Sequence, residues 1–166
     1  DGGTLDSAIQ LADAIHKLHD EGVQETAALV HKPGSAAGTL LALAADALYM
    51  APGARLMPLD PKSFNASASE EAKKKLLDAV ERYSARRPRL KTLYRALVDP
   101  SLDVQAVELE GREGQTLFLT STELRQRLSQ GDTAIVSSTR VAKKSSLPEL
   151  DATKAAAIHL SRDTLD

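Results

Sequence analysis

Two short apolar runs, Thr26–Val30 and Ala47–Met50, each follow directly on a helical pattern, and this alternation restricts the fold more than any other feature of the chain. From Leu5 the apolar residues recur at Ala8, Ile9, Leu11, Ala12, Ile15 and Leu18, the stripe of an amphipathic helix. Glu21-Gly22 closes that helix, with Gly22 as its left-handed cap. Thr26-Ala27-Ala28-Leu29-Val30 reads as a short buried strand, and Pro33 in the loop His31-Lys32-Pro33-Gly34 forbids a continuing ladder. Ser35 to Asp46, small residues and leucine, reads as a buried helix. Ala47-Leu48-Tyr49-Met50 is a second strand before the turn Ala51-Pro52-Gly53. Helix, strand, helix, strand predicts an α/β fold with mostly parallel strands.

Farther along, Pro58, Asp60 and Pro61 break the segment Arg55 to Lys62. A long helix is expected to begin near Ser67, since Ser67 and Glu70 have capping-box spacing, and Leu76, Leu77, Val80 and Tyr83 share one stripe. Pro88 interrupts it, and a shorter helix with Leu90, Leu93, Leu97 and Val98 ends at Asp99-Pro100. The character then changes. Val104 to Leu109, Leu117 to Leu119 and Ala134 to Val136 read as strands, with Gly111 and Gly114 between the first two. Thr120 and Glu123 open a short helix that Gly131 ends, and Ala155 to Ile158 is helical. The expected division is an α/β core over residues 1–100 and a mixed α/β C-terminal extension over 101–166 packed on it.

Composition sets limits on chemistry. With 42% apolar and 27% charged residues and a formal net charge of -2, the chain of 166 residues can bury a core and is no disordered tail. Its longest apolar stretch, Ala36 to Ala51, is broken by Gly38, Thr39 and Asp46, well short of the roughly 18–20 apolar residues of a spanning helix. Asp1-Gly2-Gly3 is a turn and not a signal peptide, so any export or membrane segment is expected outside this chain. Cysteine is absent, which removes thiolate nucleophiles and sulfur-ligated metals. Basic residues cluster at Arg86, Arg87, Arg89, Lys91 and Arg95. With aromatics at 3% and a slightly acidic total, they read as the solvated face of a helix and not as a nucleic-acid surface.

The stretch Pro33 to Asp46 carries the chemistry. It leaves a strand and turns at once into a small-residue helix, a geometry that offers free backbone N–H groups and a helix N-terminus to negative charge. Ser35 stands where a serine hydrolase would hold its nucleophile. The plainer reading is that Ser35 N-caps the helix. Four histidines offer less. His16 and His19 share a helix at i, i+3 spacing without a Glu–His motif and read as surface residues, so no metal site is expected. His31 ends a strand near the candidate site, with Asp46 or Asp60 as its acid were it a base; His159 carries no signal.

Ser35 to Asp60 resembles the signature of Clp-fold peptidases, above all the NfeD-type and serine dehydrogenase proteinase families. Their pattern is a nucleophilic serine, a small residue, Gly-Thr and an apolar helix ending Ala-Ala-Asp. A strand, Met-x-Pro-Gly-x-x-Leu and often Asp-Pro follow. The matching residues here are Gly38-Thr39, Leu40 to Asp46, Met50-Ala51-Pro52-Gly53-Ala54-Arg55-Leu56 and Asp60-Pro61. Asp1-Gly2-Gly3 resembles the family's Pro-Gly-Gly turn, which a strand precedes. Arg95-Ala96-Leu97-Val98-Asp99 resembles a Glu-Ala-Met-Val-Asp element, and Leu147 to Ala156 a closing segment with Lys154 in place of glutamate. From 101 to 146 the likeness is weak.

The resemblance implies a ClpP/crotonase-like fold with a small β-containing C-terminal addition. It also implies Ser–Lys peptide-bond hydrolysis without a cofactor, a peptide or protein substrate, self-association, and membrane association through segments outside this chain. Lys73 is the implied base, with Lys74 next and Lys75 beside them; the plainer reading is three exposed lysines on an amphipathic helix. Backbone N–H groups of Gly2 or Gly3, and of Ala36 or Ala37, would form the oxyanion hole. Counting back from Gly38-Thr39, however, the nucleophile position falls on Ala36, which has no oxygen to attack a carbonyl. A natural pseudoenzyme, an inactivated variant, or a re-registered turn with Ser35 as nucleophile are the three explanations. A non-catalytic scaffold and crotonase-like acyl-CoA chemistry are the competing functions, and the Met-x-Pro-Gly and Asp-Pro elements favour the peptidase branch over the latter.

Overall fold

The structure, a computed structural model, describes residues 4–64, 69–111, 115–132 and 134–162. It is a mixed α/β arrangement. Helix α1 (Leu5–Lys17) starts at Thr4, whose side chain accepts from the Ser7 N–H, and it buries Leu5, Ala8 and Ala12. It stops five residues short of Gly22. The intervening Leu18–Glu21 runs through turns, and Gly22, at φ +95°, is the left-handed exit from them and not the helix cap. Strand β1 (Ala27–Val30) leads to α2 (Ala36–Ala44), then β2 (Ala47–Met50). β1 and β2 pair in parallel, Ala27 opposite Ala47 through Val30 opposite Met50.

β1 is not the buried strand its sequence suggests. It alternates exposed and half-buried positions, and Leu29 is 56% exposed, whereas its partner β2 is almost wholly buried. Asp46 joins the two strands at their start: its Oδ2 accepts from both the N–H (2.9 Å) and the hydroxyl (2.7 Å) of Thr26.

After β3 (Arg55–Leu56) and a 3₁₀ turn (Pro61–Phe64), α3 (Glu70–Ser84) buries Ala72, Leu76, Ala79, Val80 and Tyr83 along one face. Ser69 is its N-cap, accepting from the Ala72 N–H, so the expected Ser67 cap is corrected; Ser67 itself lies outside the described residues. Pro88 opens a 3₁₀ turn (Pro88–Leu90) before α4 (Lys91–Ala96). The neighbouring basic cluster is not one solvated face. Arg86 donates to His16 O and pairs with Asp20, Arg87 donates to the carbonyls of Leu43 and Ala45 at the end of α2, and Arg89 donates to His159 O. Arg86 and Arg87 thereby satisfy carbonyls that the ends of α1 and α2 leave open.

The last third is antiparallel. β4 (Val104–Leu109) lies between β5 (Thr116–Thr120) and β6 (Ile135–Ala142), and β7 (Leu150–Asp151) pairs with β3, so among the described strands β1 and β2 alone pair in parallel. Short connections such as the one from β4 to β5 permit only antiparallel pairing. Helix α5 (Ser121–Ser129) carries the expected Thr120–Glu123 capping box, and α6 (Ala152–Ala157) begins earlier than its apolar residues indicate because Asp151 caps it. One main core runs through both regions: Leu40, Met50, Leu76 and Tyr94 pack with Val104, Phe118, Leu150 and Ala155. No helix of the described residues is long and apolar enough to cross a membrane.

A candidate active-site cleft

A cleft of about 630 Å³ opens at the N-terminus of α2. Gly34, Ser35 and Ala36 form one wall, Met57, Pro58, Asp60 and Ser63 a second, and Pro100, Ser145 and Leu147 the third. Its shape comes from bonds between segments far apart in the chain. The Gly34 N–H donates to Arg55 O (3.1 Å), and Pro33 bridges Arg55 in parallel. A Cβ on Gly34 would lie 3.3 Å from that carbonyl, so glycine lets the loop close onto β3. Thr39, 1% exposed, accepts from the Met57 N–H through Oγ1 (2.8 Å) and fixes the second wall against α2. Asp60 holds the floor turn, its Oδ1 accepting from the Lys62 N–H and its carbonyl from the Ser63 N–H. Gly38-Thr39 is thus structural: one residue takes the cap bond and the other ties the walls.

Ser35 sits in extended conformation (φ −94°, ψ 167°), and its Oγ accepts from the Gly38 N–H at 3.1 Å. This is the N-cap geometry of the plainer reading. Ala36 follows as the first helical residue, 4% exposed, with a methyl and no hydroxyl. Among the described residues the amides of Ala36 and Ala37 have no acceptor, while that of Gly38 is taken. Of the two, Ala36 lines the cleft, and its amide at the positive end of the helix is suited to a carbonyl or carboxylate oxygen. Gly2 and Gly3, the other half of the expected oxyanion hole, lie outside the described residues.

Lys73 lines a neighbouring cleft of about 260 Å³, which shares Asp60, Pro100 and Leu147 with the first. Its Nζ donates to Asp99 Oδ1 at 3.0 Å. Burial would raise the Asp99 carboxyl, yet the bonds from Lys73 and from Ser101 hold it below its usual value. Ser35 and Lys73 face adjacent spaces and are not hydrogen-bonded to each other; each has another partner. Lys74 is exposed, and Lys75 pairs with Asp6.

The histidine alternatives are not brought together. His31 is exposed and outside the cleft lining, and Asp46 is engaged by Thr26 and Arg86. His16 is not a free surface group: it is half-buried with its ring 5.3 Å from that of Tyr83, and burial, then Arg86, lowers its pKa. Among the described residues no group of three or more His, Asp or Glu could hold a metal. Sequence reasoning missed Asp99, Ser63 and the third wall at Ser145 and Leu147. No family model, curated protein or solved structure significantly matches the chain.

Proposed function

We propose that this chain is the core of a Clp-fold serine peptidase domain, in the ClpP/crotonase arrangement, that binds peptide segments without cleaving them. One observation carries the reading: the cleft at the start of α2 holds a methyl at Ala36 where the resemblance calls for the nucleophile, while the neighbouring Ser35 hydroxyl is engaged as the helix cap. The Ala36 amide, without an acceptor among the described residues, supports retention of a peptide carbonyl. Lys73, in the adjoining cleft, is the amine that a serine restored at position 36 would use as its base, and it must leave Asp99 to serve. No cofactor enters this chemistry.

Casein and model-peptide cleavage by the unaltered chain, by Ala36→Ser and by Ser35→Ala tests it. The expected result is silence in the unaltered chain and in Ser35→Ala, with activity regained in Ala36→Ser. Activity already present and lost in Ser35→Ala would make Ser35 the nucleophile and refute the non-catalytic reading. Binding of acyl-CoA instead of peptide would move the domain to the crotonase branch.

A further inference from the structure

The third wall of the cleft is a bridge between two fixed points. At one end Ala142 is buried and paired with Val104; at the other Pro148 is buried and Leu150 pairs with Leu56. Between them Lys143, Lys144, Ser145 and Ser146 are exposed and Leu147 is half-buried. Among the described residues, one backbone bond ties this bridge to the body, from the Ser145 N–H to Pro100 O at 2.6 Å. Ser145 makes it at φ +72°, a conformation that a serine adopts at a cost. The Arg55–Glu149 pair secures the far end at the surface. Leu147, with Asp60 and Pro100, is also the partition between the Ala36 cleft and the Lys73 cleft.

We infer that Lys143–Leu147 is a strap that gates the cleft, and that its displacement removes the Leu147 partition and joins the two clefts into one groove running from Ala36 to Lys73. A segment held by one hydrogen bond, through a strained residue and with exposed neighbours, is the kind that opens locally while the core stays folded. The open form would admit an extended peptide that the divided clefts accommodate only in part. The strap rests on the reading above only in taking the α2 cleft as the working site. Access is measured without hydrolysis, so failure of the strap and failure of the peptidase ancestry give different results.

The absence of cysteine makes the test direct. Ala36→Cys places a single thiol in the cleft, and Leu128→Cys places one on α5 at a position 52% exposed as reference. The probe is fluorescein maleimide, and the readout is its rate of reaction with native protein. Labelling of Ala36→Cys should be slow beside the reference and should accelerate about tenfold when Ser145→Pro removes the donor and the left-handed φ, or when Leu147→Ala removes the partition. The reference rate should stay constant. Fast labelling with the strap intact, or a slow rate that neither change alters, would overturn the strap. Should Ser145→Pro fail to fold, Leu147→Ala and Glu149→Gln decide by the same comparison.

Discussion

Lys73 Nζ lies 3.0 Å from Asp99 Oδ1, which connects the first turn of α3 to the end of the α4 segment beside the smaller cleft. Asp99 also accepts from the Ser101 N–H, so its carboxylate organises the chain where it turns toward β4. Both side chains are mostly withdrawn from solvent, at 30% and 17% exposure, and the pair is less screened than a surface bridge. Asp99→Asn should destabilise the fold by about 1–2 kcal/mol, because it leaves Lys73 half-buried without a countercharge. Lys73→Met should cost less, about 1 kcal/mol or under, since Ser101 still satisfies Asp99. Urea midpoints compare the two; equal and negligible shifts would show the pair to be ornamental.

The Thr39 hydroxyl allows a cleaner test of how the walls are held. Thr39→Val keeps the shape but leaves the part-buried Met57 N–H without its acceptor. The expected loss is about 1–3 kcal/mol in urea unfolding, with the slope unchanged. A change under about 0.5 kcal/mol would mean that the second wall stands without this bond.

Acid should weaken the fold through two carboxylates. Burial raises Asp46, but Thr26 and Arg86 outweigh it; burial raises Asp99, but Lys73 and Ser101 outweigh it; both end below the ordinary 3.8. A folded-state value below the unfolded one means that the unfolded chain takes up its protons first as pH falls. Their stabilisation is therefore complete above about pH 5 and fades through and below 3.8 as the folded-state values are reached. The Asp46→Asn/Asp99→Asn variant should show a shallower loss of stability between about pH 5 and pH 2.5 than the parent. Parallel pH curves would remove these two groups from the account.

How much of this was legible follows from which forces act locally. The stripes of α1 and α3 could be read because a helix repeats its burial every three or four residues within one segment. Ser35 as a cap could be read for the same reason, its partner Gly38 being three residues away. β6 was seen only at its apolar start, because Ser137, Ser138, Thr139 and Arg140 are exposed and carry no hydrophobic signal. The exposure of β1 was illegible, since its four apolar residues look like those of its buried partner β2. Ser145 and Leu147 join the cleft through a bond to Pro100, and nothing in the residues around 145 announces that partner. The three lysines near 73 could not be told apart until Asp99 and Asp6 had chosen theirs.

Ser35 separates a structural from a catalytic role most sharply, because the two make opposite demands on its replacement. As an N-cap it needs only an oxygen that accepts from the Gly38 N–H, which aspartate supplies as well as serine. Ser35→Ala should therefore cost about 1 kcal/mol of stability, and Ser35→Asp should restore most of it, aided by the helix dipole. A nucleophile would be abolished equally by both changes, and a fluorophosphonate probe would label the parent but neither variant. In the Ala36→Ser background the two roles divide further. The new hydroxyl should be labelled whether residue 35 is serine or aspartate, but less when it is alanine and the first turn of α2 frays. Labelling that follows the hydroxyl of residue 35 and ignores the cap would reverse the assignment.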